Sequence, residues 1–224
     1  SSHLIIRGLR FPFFYSQILT MAIPTTNATE ELPAVNQILA SVGQAPVTTL
    51  DQTNPDVAIV YDTLLQVSKE VQAEGWTFNK EFNYKLSPDS NNEILISNNI
   101  LQIDLTDSYQ DKDAVKRSGK LYDRVNHTYQ WTDAEEYEFD IVWLFDWIDL
   151  PIPIQDYIVS KASTVAAQRI VGDPQLLGSL QQREMLSRAN AMEYECNQGD
   201  FSFFGHPHGS SYKTSYKPYK ALQR

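Results

Sequence analysis

Apolar residues recur along this chain in two rhythms, one helical and one alternating, and the change between them organises it. Leu32, Val35, Leu39 and Val42 stand three or four apart, and Gly43 follows where a left-handed cap is wanted. That spacing predicts a short amphipathic helix stopped by glycine, with a proline-containing extended segment at 46–50 after it. A second helix is marked more fully. Asn54 suits the N-cap, Pro55 the first helical position and Asp56 the positive end of the dipole, while Gly75 ends the run. Between them Val57, Val60, Leu64, Val67 and Val71 form one apolar seam.

From Trp76 to Leu150 the rhythm shortens. Phe78, Phe82, Tyr84 and Leu86 alternate with polar neighbours, and Asn/Asp/Ser/Pro clusters at 87–92, 98–99 and 107–113 punctuate the run. This predicts a β-rich insertion with polar loops, whose latter half holds Trp131, Trp143 and Trp147. Helix returns at Pro153, with Ile154, Ile158, Ala162, Val165 and Arg169 on one side and Gly172 as its stop. Asp173-Pro174 repeats the device of Asn54-Pro55, and Met185, Ala189, Met192 and Cys196 line the later face of the helix it opens. Glu184 and Arg188 are spaced for an i to i+4 pair.

The expected fold class is therefore α+β. A helical bundle from 30–75 and 153–198 is interrupted by a β-rich insertion at 76–152 and flanked by extended arms at 1–29 and 199–224. In the last arm Tyr212-Lys213, Tyr216-Lys217 and Tyr219-Lys220 form a small internal repeat, which is extended or disordered when alone in water.

Four segments resemble, in order, the tail tubular protein A family, the head-to-tail adaptors of podovirus-type short-tailed bacteriophages. They are 34–43 with 46–50, then Gly75-Trp76-Thr77-Phe78-Asn79, then Leu121-Tyr122-Asp123-Arg124, then Tyr157 through Ser163 leading past Gly172 to Met192-Glu193-Tyr194-Glu195. The resemblance implies a structural virion protein of the tail, assembled in the host bacterial cytoplasm. It implies a homododecameric ring that binds the portal protein above and the tail nozzle, tail tubular protein B, below. The same resemblance implies that the ring helps carry the tail fibres and surrounds the channel through which genomic DNA leaves without sequence-specific binding. Two readings from other classes stand beside it: a tail-associated cell-wall-degrading enzyme, and a non-viral helical binding module.

Charge refines this picture. The chain carries 18 basic and 28 acidic residues, net −10. Two of the basic residues, Arg7 and Arg10, lie in 1–20, and four, Lys213, Lys217, Lys220 and Arg224, lie in 201–224; neither stretch holds an acid. The middle thus keeps 12 basic against 28 acidic residues, net −16. An acidic body with basic ends argues against a simple nucleic-acid binder, which needs a basic face for phosphates. It suits ends that dock on acidic protein surfaces. Acid on a channel wall would also keep DNA from sticking, over a range of about 8 Å at cellular salt.

Membrane insertion is not expected, because the longest apolar run, 141–154, is broken by Asp146, Asp149 and two prolines and falls short of the roughly 20 residues a spanning helix needs. Residues 3–20 resemble a signal peptide superficially, but Pro12, Ser16 and Gln17 break the apolar stretch; with Met21 resembling a start, 1–20 reads as an extension or an upstream start. The lone Cys196 fits a reducing compartment and reads as a small core residue.

Catalytic and metal-binding patterns are sparse. No phosphate-cradling loop, paired-cysteine spacing or nucleophile elbow is present, so no catalytic group, metal or cofactor is expected. His206 and His208 lack a nearby third ligand and read as a solvated or docking loop. The run from Asp133 to Asp140, with Glu135, Glu136 and Glu138, alternates with Tyr137, Phe139 and Ile141, which describes a strand with one wet side; it is also the sole candidate for an acid pair in the enzyme reading. Asp123 and Arg124, adjacent on a strand, point to opposite faces and need not pair. Asn126-His127-Thr128 fits a glycosylation sequon, irrelevant in bacterial cytoplasm. The candidate partner-docking residues are Tyr212, Lys213, Tyr216, Lys217, Tyr219 and Lys220. Tyrosine rings in grooves of a protein partner with lysines meeting its acids, bases stacked on the rings, or a tail without a role are the three readings of that repeat.

Overall fold

A computed structural model describes residues 28–199 apart from 107, 108, 110 and 133. Among these described residues four helices and five strands make up an α+β fold. In chain order they are α1 (Ala28–Ser41), α2 (Pro55–Gln72), β1 (Lys80–Leu86), β2 (Ile100–Leu105), β3 (Ala114–Arg117), β4 (Lys120–Asp123), β5 (Tyr137–Trp143), α3 (Ile152–Ile170) and α4 (Pro174–Gly199), with a 3₁₀ turn at Trp147–Asp149.

The helix ends follow local chemistry. Gly43 (φ +78°), Gly75 (φ +77°) and Gly172 (φ +68°) take the left-handed conformation just beyond α1, α2 and α3. Asn54 caps α2 by accepting from the Asp56 N–H at 3.0 Å, and Asp173 accepts from the Gln175 N–H at 3.0 Å at the start of α4. Val57, Val60, Leu64, Val67 and Val71 are all buried, as their spacing predicts. They meet Val35, Ile38 and Leu39 of α1 and Ile154, Ile158 and Ala162 of α3 in one helical core. Helix α3 lies in the middle, against α1, α2 and α4, and is buried far more widely than one side: Tyr157, Val159, Ser160, Ser163, Ala166 and Ala167 are buried too.

Helix α4 corrects the sequence reading. Its buried positions are Leu180, Ser187, Ala191 and Gly199. The stripe of Met185, Ala189, Met192 and Cys196 faces outward, and Cys196 is exposed rather than a core residue. Three of the four inward positions are small residues, on the helix that packs against α3. Arg188 reaches the Tyr157 hydroxyl (2.9 Å) and the Glu74 carboxylate (3.6 Å) across the interface instead of pairing with Glu184.

In the first sheet β5 runs antiparallel between β1 and β2, in the order β1-β5-β2. Tyr137, Phe139 and Ile141 of β5 are fully buried, while Glu138 and Asp140 between them are partly exposed, the alternation of a half-wet strand. Strand β1 has one extra residue between Glu81 and Tyr84, where Asn83 takes φ +54°. A hairpin joins β3 and β4 through Ser118 and Gly119, both at positive φ, as a two-residue turn with right-handed strand twist demands. A second apolar core gathers Ile94, Leu121, Trp131, Tyr137, Phe139 and Ile141. Asp123 and Arg124 do not pair with each other: Asp123 is buried and Arg124 bonds Asp113. No described helix is long and apolar enough to cross a membrane.

A candidate assembly site at the helix–sheet junction

The end of α2 and the turn after it hold the sheet against the helices. Gln72, fully buried at the last turn of α2, donates to the Phe145 carbonyl (3.2 Å) and accepts from the Phe145 N–H (2.7 Å). Seven residues later Asn79, also fully buried, accepts from the Trp76 N–H (2.9 Å) and donates to the carbonyls of Gln72 and Trp143, both at 2.8 Å. Each amide satisfies backbone groups that the helix end and the strand end would leave unpaired, which is why buried amides are tolerated here. The Trp76 indole N–H donates to the Val71 carbonyl at 2.7 Å, and its ring meets Tyr157 edge-on at 6.4 Å. Glu195 of α4 accepts from the Thr77 N–H (2.9 Å) and hydroxyl (2.6 Å).

Three of the four family-like segments converge at this junction and on α1. Trp76 meets Tyr157, Thr77 bonds Glu195, and Asn79 joins them through the Trp76 N–H. Asn36 exchanges two hydrogen bonds with the backbone of Val47, 2.9 and 2.8 Å, and so straps the extended segment 46–50 to α1. The remaining segment organises the second core: Leu121 is fully buried and accepts from the Trp131 indole (3.2 Å), and Asp123 accepts from the backbone of Val125 and Asn126 and from the Asn126 side chain. Burial alone would raise the Asp123 carboxyl, but these donors outweigh it and hold the group below the ordinary carboxylate range. The sequon asparagine is thus a structural donor.

Beside the junction lies a cleft of about 650 Å³, walled by Leu64 and Leu65 of α2, Ile100 and Leu101 of β2, and Leu144, Phe145 and Trp147. Two like-charged pairs also line it, Glu31 near Asp146 and Lys116 near Lys69. Glu31 is 3% exposed, and its Oε2 has no hydrogen-bond partner. Burial pushes its carboxyl above the ordinary value against a hydrogen bond from Tyr61, and the charges of Asp146 and Glu30 push the same way. Burial also raises Asp146, with Asp149 adding to it. Lys116 donates to the carbonyls of Ser97 (3.1 Å) and Ile100 (3.3 Å); burial and the nearby Lys69 lower its pKa.

Tyr212, Lys213, Tyr216, Lys217, Tyr219 and Lys220 lie outside the described residues, as do His206, His208 and Asp133. Glu135 and Glu136 are exposed, and Lys85 pairs with Glu136 at 3.1 Å, so this part of the acidic run is solvated surface. Among the described residues no group of three or more His, Cys, Asp or Glu is placed to hold a metal. Sequence reasoning passed over Glu31, Gln72 and the cleft lysines. One signal was present: Glu31 stands four and seven residues before Val35 and Ile38, an acid on the apolar stripe of α1.

No curated protein matches the chain. Residues 32–201 match the family described as tail tubular protein, and this stretch includes the α2–β1 junction, the hairpin, the cleft walls and Glu195 on α4. The chain therefore belongs to the tail tubular protein family and is a structural protein of the phage virion tail.

Proposed function

We propose that the chain is a subunit of the head-to-tail adaptor, a homododecameric ring that joins the portal to the tail nozzle and fibres and surrounds the DNA ejection channel. The family match over 32–201 carries this reading. The fold supports it in three ways. Buried amides weld sheet to helices, as a joint that transmits force along a tail requires. The outer stripe of α4, with Met185 71% and Met192 46% exposed, offers apolar area to a neighbouring subunit. Strand β1 leaves Phe82 and Tyr84 at the free edge of its sheet, aromatic area of the kind found at interface centres, and tail-side partners are assigned there.

Negative-stain imaging of the full chain with and without purified portal tests the reading. Twelve-fold rings seated on portal are expected; a chain that stays monomeric beside portal overturns it. Phe82→Ser is expected to leave portal binding intact and to lower nozzle or fibre attachment, and the opposite pattern reverses the tail-side assignment.

A further inference from the structure

The cleft between α2 and β2 is lined by a residue with a buried, unpartnered carboxylate oxygen, Glu31 Oε2. Buried polar atoms are almost always hydrogen-bonded, and an exception calls for a partner that the isolated chain does not supply. Asp146 stands close enough to repel it, and the Asp146 carboxylate does not cap the 3₁₀ turn it precedes. Two neighbouring acids in a cavity lined by Phe145 and Trp147 suit a cationic side chain carried beside a ring. Lys69 and Lys116 line the same space as donors, suited to backbone carbonyls or a phenol oxygen. A volume of about 650 Å³ lies within the roughly 300–1,000 Å³ of sites that enclose a ligand of several side chains.

The chain itself contains such a segment. Residues 201–224 hold four basic residues and no acid, with a tyrosine directly before each of Lys213, Lys217 and Lys220. We propose that the cleft receives the Tyr-Lys arm of a second copy of this chain, a lysine ammonium ending between Glu31 and Asp146 while its tyrosine lies against Phe145 and Trp147. The proposal rests on the ring reading, which sets copies side by side. It gives a buried carboxylate that already accepts from Tyr61 a countercharge only on assembly, so the cleft contributes to association and not to folding of the lone subunit.

The test uses the full chain with Lys213, Lys217 and Lys220 all changed to Glu, which keeps its own arm out of the cleft, and a fluorescent peptide of residues 210–224 as probe. Saturable binding is expected, weakened at least tenfold by adding Glu31→Gln with Asp146→Asn. Equal binding to the cleft variant overturns the proposal, as does tighter Glu31-dependent binding of a peptide spanning residues 5–19, which would name the N-terminal segment as occupant. If the cleft variant fails to fold, a photo-crosslinker at Tyr216 of the wild-type chain decides instead. In a mixture of isotopically light and heavy chains it should join Tyr216 of one copy to Phe145 or Trp147 of another, and crosslinks confined to one copy or elsewhere refute the assignment. Ring formation by the cleft variant on portal is read separately. Rings without peptide binding sink the cleft and spare the adaptor; peptide binding without rings does the reverse.

Discussion

Asn79→Ala removes the side chain on which the junction depends. Three backbone groups lose a partner: the Trp76 N–H and the carbonyls of Gln72 and Trp143. They do not suffer equally. The Gln72 carbonyl still accepts from the Gly75 N–H at 3.2 Å, whereas the Trp76 N–H, next to a ring that is 4% exposed, is left without the acceptor it had. A buried donor left unpaired costs about 1–3 kcal/mol, and each acceptor that loses one of its donors adds roughly 0.5–1 kcal/mol. The sum is about 2–5 kcal/mol. For a chain of this size that corresponds to a fall in Tm of about 4–20 °C. The backbone bonds from Asn79 N–H to Trp76 and from Trp143 N–H to Asn79 survive, so the variant should fold with the same secondary structure. Urea unfolding followed by circular dichroism reads the difference, with Asn91→Ala on an exposed loop as the control. A loss below about 0.5 kcal/mol would refute the idea that this amide closes the joint.

Three further outcomes follow from the same geometry. Leu64→Ala, at a position 1% exposed in the helical core, should cost about 2–5 kcal/mol through the cavity it leaves, read as a lowered denaturation midpoint. Asp123→Ala should destabilise by about 2–4 kcal/mol at neutral pH by stranding the N–H groups of Val125 and Asn126. Because the Asp123 carboxyl sits below its ordinary value in the fold, the wild-type advantage is complete above about pH 4 and disappears as pH falls through that lowered value. Glu31→Gln should act in the opposite sense, stabilising the lone subunit by about 1 kcal/mol at pH 7. The Glu31 carboxyl is raised, so the folded chain binds a proton more tightly than the unfolded one, and the wild type regains the deficit as pH falls through the raised value toward about 4.5. Parallel denaturation series at pH 7, about pH 4 and about pH 2 check both signs, the middle step for Glu31 and the lowest for Asp123, and a gain for Glu31→Gln that grows on acidification would contradict the assignment.

The sequence by itself determined the features that depend on neighbours three or four residues away. The caps at Asn54 and Asp173, the glycines beyond α1, α2 and α3, the seam from Val57 to Val71 and the alternation along β5 are all decided by local backbone sterics, local hydrogen bonds and the period of apolar side chains. Tertiary structure decided what each face meets. Met185, Ala189, Met192 and Cys196 have the spacing of a buried stripe, yet α3 takes the small-residue side of α4 with Ser187 and Ala191, where Arg188 can reach Tyr157 and Glu74. Gln72 reads as one more polar residue near a helix end, within reach of Ser68, until Phe145, 73 positions later, supplies both a donor and an acceptor for it. Glu31 looks like an ordinary first-turn acid until α2, with Tyr61, and the segment of the 3₁₀ turn, with Asp146, pack on α1 and remove its water. Burial of a polar group is a property of the elements packed around it, and those elements are distant in sequence, so no local pattern encodes the clamp or the cleft.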